Sequence, residues 1–195
     1  VALADPTKSG SITKAFEMVV QEKMQGLEKA RLAEGVPAGE AEETAIREGW
    51  NRAMALIQRI AANARYFTDS ATKPVLDVAN GDCAVGMAID FYGRYQAEVV
   101  ELRSGRARMG FVIPEGASTL SADPIAIFRG APNPGVADLF LEFVMSDAGQ
   151  KLWGYRVDTP GGPVQYALRR NPAPRSFYEP PHVRHLSEPE LNPYE

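Results

Sequence analysis

Three short stretches combine polar side chains, glycine and aromatic hydroxyls in patterns that can do chemistry. The first is Asp5-Pro6-Thr7-Lys8-Ser9-Gly10-Ser11, which follows a short apolar run, Val1 to Ala4. It precedes a segment in which Ile12, Phe16, Val19, Val20, Met24 and Leu27 recur near helical spacing. A helix start leaves backbone N–H groups without intrahelical partners at the positive end of the helix dipole. Gly10 lets the chain bring those groups close to an anion, and Ser9 and Ser11 add hydroxyl donors. The stretch can therefore cradle a phosphate, carboxylate or carbonate. The plainer reading is that one serine caps the helix. The Walker spacing is missing, so this is not a P-loop.

The second stretch is Asp90-Phe91-Tyr92-Gly93-Arg94-Tyr95, at the end of an apolar run. Asp90 can hold an amine or hydroxyl, the tyrosines offer phenol oxygens, and Arg94 can bind an anion bidentately. A capping Asp90 with two packing tyrosines accounts for the same residues. The third, Phe67-Thr68-Asp69-Ser70, places Thr68 and Ser70 at another strand end, where alone it reads as a turn.

The elements that must position these residues alternate between strand and helix. Val1 to Ala4 reads as a strand and Ile12 to Leu27 as a helix. Glu34 to Glu43, with Gly35, Pro37, Gly39 and four Glu, reads as a surface connection. Trp50, Met54, Ile57 and Ala61 mark one face of a second helix ending near Asn63, and Tyr66 to Thr68 reads as a strand. Pro74 opens a short helix that Asn80-Gly81 ends. Ala84 to Ile89 has the near-continuous apolar character of a strand buried on both faces of a parallel sheet, and helix resumes from Phe91 to Arg103. Met109 to Ile113 and Pro124 to Phe128 are further candidate strands. Leu139, Phe140, Phe143 and Val144 mark an amphipathic helix, with another over Ala148 to Tyr155. After Asp158, prolines from Pro160 to Pro193 break any long element and describe a wrapping tail. The alternation implies an α/β layered fold with a mainly parallel sheet flanked by helices. Ligands of such folds bind beyond the carboxyl ends of the strands.

Composition narrows the function. The 195 residues carry 21 Lys+Arg against 25 Asp+Glu, a net charge of −4, with basic residues scattered rather than striped. That argues against nucleic acid as a partner. The longest uncharged stretch, Thr159 to Leu168, holds two Pro and two Gly and is far short of the about 20 apolar residues of a membrane-spanning helix. One cysteine, Cys83, makes no intrachain disulfide, and with only His182 and His185 beside it the chain is too poor in soft ligands for a Cys/His zinc site. A hydrolase with Cys83 or a serine as nucleophile and His182 or His185 as base is the enzyme alternative. It suffers from placing both histidines in the Pro-rich tail and Cys83 before a buried strand.

Ala4-Asp5-Pro6-Thr7-Lys8-Ser9-Gly10-Ser11, Gly49-Trp50, Ala62-Asn63, Phe67-Thr68 and Val78-Ala79-Asn80-Gly81-Asp82 with Val85-Gly86 occur in one order. The series continues through Ile113-Pro114-Glu115-Gly116, Gly130-Ala131-Pro132-Asn133-Pro134 and Ser146-Asp147-Ala148-Gly149-Gln150-Lys151-Leu152. It resembles bacterial extracellular solute-binding proteins of family 1, closest to the branch with ferric-iron-binding and phosphosugar-binding periplasmic proteins. The resemblance runs from about Val1 to Tyr178, and 179–195 match nothing in it.

The resemblance implies a non-enzymatic substrate-binding component of an ABC importer, without a cofactor, at the periplasmic or extracellular face of a bacterial membrane. Residues 1–117 would form the second, C-terminal lobe of a two-lobed receptor of the type II periplasmic-binding-protein kind. Residues 118–158 would return toward the first lobe and add the C-terminal helices, and 159–195 would be the tail. The partners implied are a small anionic solute, the membrane permease, and an N-terminal lobe of the same chain expected to precede Val1. Without that lobe, exposed apolar residues would favour self-association. By resemblance Ser9, Gly10 and Ser11 match the anion-binding helix start. Tyr92 matches the second of two adjacent iron-binding tyrosines, and the first corresponds to Phe91, which has no oxygen. Ferric iron prefers several charged oxygen ligands, so a phosphorylated sugar or similar organic anion is the expected solute. An iron receptor using Tyr92 and a bound anion is the alternative, and no other metal site is expected. Asp90 and Arg94 then read as specificity groups, with Thr68 and Ser70 lining the same mouth.

Overall fold

The computed structural model describes residues 1–114, 116–120 and 124–195. They form two compact units, Val1–Thr119 and Leu120–Glu195.

In the first unit, β1 (Leu3–Ala4) leads to α1 (Gly10–Ala33), then α2 (Ala38–Thr44), a π-helical turn (Ala45–Gly49) and α3 (Trp50–Ala62). The connection expected over Glu34 to Glu43 is shorter than read, because Pro37 takes the position before α2. α1 packs against α2, the π turn and α3. The buried row on the α2–α3 side is Ala41, Ala45, Gly49 and Ala53, small residues at every fourth position. In a straight α-helix such a row slides about 40° around the axis per step, and the wider i→i+5 turn at Ala45–Gly49 offsets part of the slide. Gly49 is the closest approach: a Cβ there would lie 2.7 Å from the Met24 Cα. The face expected to be buried, with Trp50 at its head, is only partly so, and Trp50 is 52% exposed.

β2 (Phe67–Thr68), α4 (Lys73–Asn80) and α5 (Asp90–Ser104) complete this unit. Pro74 sits in the first turn of α4, and Gly81 ends that helix with φ +83, a left-handed conformation that glycine adopts without strain. The sheet is much smaller than expected: β1 and β2 pair in parallel, Leu3 opposite Phe67 and Ala4 opposite Thr68. Ala84 to Ile89 is not a strand buried on both faces. It contributes a single parallel bridge, Gly86 to Ala2, and Val85 is 58% exposed. Its approach is set by the preceding turn, where the Asp82 and Cys83 amides both donate to the Asp77 carbonyl, at 2.8 and 3.2 Å. Met109 to Ile113 is also not a strand: its Phe111 packs onto α5 instead.

In the second unit, Pro124 to Phe128 runs without a strand partner among the described residues, and α6 (Pro134–Met145) and α7 (Asp147–Gly154) follow. Ser146 caps α7 through its hydroxyl, which accepts from the Gly149 amide at 3.2 Å. α6 has the expected apolar residues but buries none of them. The proline-rich segment does more than wrap. Its Phe177, Tyr178 and Leu186 form the core cluster around Tyr155, with Val183 packed against it. Burying a phenylalanine such as Phe177 contributes about 1.5–3 kcal/mol. Leu186 pairs antiparallel with Tyr155, and the Ser187 amide reaches the Gly154 carbonyl at 2.7 Å. Glu115, in the Ile113 to Gly116 motif, lies outside the described residues, as do residues 121–123.

Candidate functional site

Alternate residues of the first strand bond to opposite sides. The Val1 carbonyl accepts from the Arg65 amide and the Asp5 amide donates to the Thr68 carbonyl at 2.7 Å, both on the β2 side. Ala2 faces the other way, its amide donating to Val85 at 2.8 Å and its carbonyl accepting from Met87 at 3.2 Å. Three parallel segments therefore lie side by side with β1 in the middle, and their carboxyl ends share one edge. Asp5 to Ser11 leaves β1 there, Asp69 to Thr72 leaves β2, and Met87 to Ile89 runs into α5. The small sheet brings together the three stretches that the sequence singled out, at the edge where open parallel sheets bind ligands.

At the α1 start, Ser9 occupies the N-cap position with extended backbone, φ −131 and ψ 106. Its carbonyl accepts from the Ile12 and Thr13 amides at 3.1 and 3.0 Å. A serine does take the cap position, but its hydroxyl makes no capping bond and lies 3.1 Å from the Ser11 Oγ. Among the described residues, the Gly10 and Ser11 amides have no backbone partner. Gly10 is exposed, and a Cβ there would meet nothing within 4 Å, so there is room beside the helix start. Asp5 stiffens the preceding loop: its carboxylate accepts from the Thr7 amide at 2.9 Å and the Thr7 hydroxyl at 2.7 Å. Those bonds, the hydroxyl's foremost, hold the Asp5 carboxyl below its ordinary value. The Thr13 hydroxyl closes the loop onto the Pro6 carbonyl at 2.5 Å.

After β2, the Thr68 hydroxyl accepts from the Ser70 amide at 3.3 Å, and the Ser70 and Thr72 hydroxyls lie 2.9 Å apart. At the third end, Ile89 takes the N-cap position of α5, so Asp90 is the first helical residue and not the cap. Its charge still suits the positive end of the helix dipole. The Phe91 and Tyr92 rings lie 4.1 Å apart at 43°, both half-buried. The Arg94 guanidinium lies over the Phe111 ring, 5.8 Å from its centroid.

One cluster escaped the sequence reading. Asp77, 2% exposed, accepts from the Tyr66 hydroxyl at 2.5 Å and from the Lys73 ammonium. Lys73 also reaches the Tyr66 oxygen at 2.7 Å, and Arg65 pairs with Asp82 at 3.2 Å. Burial raises the Asp77 carboxyl, but the bonds from Lys73 and Tyr66 outweigh it and leave the group lowered, while the same bond to Asp77 raises Lys73. The signal was Lys73 and Asp77 four residues apart on a short helix. The cluster ties α4 to the residues entering β2.

The hydrolase residues are placed for packing. Cys83 is buried in the first unit. His182 is in the second, stacked on Phe177 with centroids 4.5 Å apart and its Nδ1 2.6 Å from the Tyr155 hydroxyl. Burial and the neighbouring Arg184 and Arg156 push His185 below its ordinary value. Among the described residues, no group of three or more His, Cys, Asp and Glu could hold a metal ion. No helix among them is long and apolar enough to cross a membrane.

The gamma-aminobutyric acid-binding protein of Pseudomonas aeruginosa is 27% identical to this chain over 139 residues, covering 71% of the chain and 36% of the relative. The chain thus matches little more than a third of that protein's length. No solved structure matches. The family model described as bacterial extracellular solute-binding protein matches residues 7–174, from the Thr7 loop through both units, and the chain belongs to that family.

Proposed function

We propose that the chain is part of the substrate-binding component of an ABC importer, which binds a small anionic solute in a cleft at the shared carboxyl edge. The observation that carries this reading is the start of α1: the Gly10 and Ser11 amides without backbone partners among the described residues, two serine hydroxyls beside them, and open space at Gly10. A phosphorylated sugar or similar organic anion would seat its acid group there. Asp90, Tyr92 and Arg94 would select the remainder, with Thr68 and Ser70 at the mouth. A further lobe of the same receptor would close the cleft, and a membrane permease would accept the solute at the periplasmic or extracellular face. Family membership supports a solute receptor rather than an enzyme. Iron is the weaker reading, because of the adjacent pair 91–92 only Tyr92 has a phenol oxygen and Phe91 has none.

A second reading has its own observation. Asp90 opens α5 immediately before the paired Phe91 and Tyr92 rings, so one helix end offers both a carboxylate and aromatic groups, the two chemistries that suit an ammonium group. With the α1 start taking a carboxylate, the solute would be a zwitterion, in keeping with the gamma-aminobutyric acid named for the relative.

Calorimetry on the intact receptor with a hexose phosphate and with 4-aminobutyrate tests both readings. Ser9 is buried, so bulky residues there would disturb packing, and Ser9→Ala with Ser11→Ala is the suitable change. Loss of two hydroxyl bonds to an anion, each worth about 1.5–3 kcal/mol, should weaken the bound probe at least tenfold with the fold intact. Gly10→Leu should shield the amides and do the same. Unchanged affinity in both variants would remove the α1 start from the site, and the probe that binds selects between the two solute classes.

A further inference from the structure

Sequence alone assigned Arg94 to the site but gave no reason for its side chain to hold one direction. The guanidinium sits on a long flexible stem, and fixing it costs rotamer entropy unless something holds it. The structure supplies a support from a segment that the sequence pattern marked as a strand. After α5 ends at Gly105 in a left-handed turn, φ +69, the chain runs back along the helix as far as Phe111. There the ring lies flush on the helix at Gly93: a Cβ at Gly93 would stand 2.3 Å from Phe111 Cδ2 and 2.9 Å from Cε2. Gly93 is the buried residue of α5, and its lack of a side chain makes the notch that the ring fills. The same ring carries the Arg94 guanidinium, 5.8 Å from its centroid.

We propose that Phe111 is a positioning residue for the solute site: seated in the Gly93 notch, its ring fixes the direction of the Arg94 guanidinium. The proposal rests on Arg94 serving the solute site, as in the function proposed above. Face contact with an aromatic ring suits a delocalised guanidinium better than a lysine ammonium, which gives a physical reason for arginine at this place. Gly93, Arg94 and Phe111 thus act as one unit, although the sequence separates the ring from the cation by 17 positions, 94 to 111.

Two measurements keep failure of the positioning separate from failure of the function. The first needs no ligand: nitrogen relaxation of the Arg94 Nε–H in the 195-residue chain. A restrained signal is expected in the parent and in Phe111→Tyr, and a mobile one in Phe111→Leu. Equal restraint in parent and Phe111→Leu overturns the proposal. The second is calorimetry on the intact receptor with whichever of hexose phosphate or 4-aminobutyrate binds the parent. Phe111→Leu should weaken binding about tenfold, Phe111→Tyr should restore it, and Phe111→Leu added to Arg94→Met should cost no more than Arg94→Met alone. Additive losses would show that Phe111 acts by packing alone and would overturn the proposal. A restrained Arg94 signal with neither probe binding would count against the solute reading and leave the positioning intact. If Phe111→Leu fails to fold, Phe111→Met, which fills the notch without an aromatic face, takes its place, with the same loss expected and the same overturning result.

Discussion

Helical glycines are ordinarily places where alanine stabilises, by about 1 kcal/mol through the unfolded chain and the helix propensity. Gly93 should reverse that sign. A Cβ there would approach Phe111 Cδ2 to 2.3 Å, more than 1 Å inside ordinary van der Waals contact, and Cγ to 3.1 Å. The ring is not the free end of a flexible stem, since three of its atoms crowd the same point, so Phe111 must leave the helix surface. Overpacking of this kind costs about 1–3 kcal/mol, so the gain from alanine is cancelled and Gly93→Ala should lose up to about 2 kcal/mol net. Gly10→Ala is the internal control: Gly10 also opens a helix, but its added Cβ meets nothing within 4 Å, and the change should be neutral or stabilising by up to about 1 kcal/mol. Trp50 lies in the first unit and Trp153 in the second, so urea unfolding followed by fluorescence in a Trp153→Phe background reports the first unit alone. The two alanine variants should differ by roughly 2 kcal/mol, a separation of several degrees in Tm. Equal stability would refute the claim that Phe111 fills a notch made by glycine.

Gly49→Ala should destabilise the first unit by about 1–3 kcal/mol, because the new Cβ would lie 2.7 Å from a backbone atom of α1, the Met24 Cα, and the helices would have to separate; an unchanged urea midpoint would contradict this helix contact. The Asp77 cluster sets a pH window. Its carboxyl is held below the ordinary value, so its contribution is present above about pH 4 and is lost as pH falls through the folded-state value. Lys73 is raised, so the same pair contributes fully below its ordinary value near 10.5 and weakens as pH rises past it. Asp77→Asn should flatten both flanks of the stability profile measured by thermal unfolding from acid to alkaline pH, and a profile matching the parent's would show the cluster to be energetically silent.

What the sequence made legible follows from how local each signal is. α4 was readable because Pro74 and Gly81 mark the two ends of one short helix, and the cap that opens α7 is as local, Ser146 and Gly149 lying three residues apart. The missing strands have the opposite cause. An apolar run such as Ala84 to Ile89 states only that it suits a strand, while pairing needs a neighbour in register, and here only Ala2, just before β1, bridges to it. Met109 to Ile113 was misread for a related reason: Phe111 gains more from the Gly93 notch than the run gains from extension without a partner. The proline-rich segment was undervalued because proline excludes helix and sheet but not burial, and Phe177 and Leu186 fill the core from turns. The order of strands, and so the shared edge, depends on parallel pairing between residues more than 60 positions apart, Leu3 with Phe67, which no local pattern encodes.

The candidate site divides into parts that make different demands on the chain. The α1 start offers backbone N–H groups, which any residue but proline supplies, so its side chains need only stay small and leave room, as Gly10 does. The α5 start offers side chains: the Asp90 carboxylate, the Tyr92 phenol, and a guanidinium whose direction is set by Phe111. Changes on α1 should therefore alter whether an acid group binds at all, whereas changes on α5 should alter which molecule carries that group. Under the proposed function, a receptor built this way would change solute through a few α5 positions while the proposed anion-binding end stayed the same. Tyr92→Phe in the intact receptor is the sharpest probe of this division. It removes one oxygen beside an unchanged aromatic face, so a hydroxyl-rich hexose phosphate should lose affinity while 4-aminobutyrate, held by ring face and carboxylate, should not.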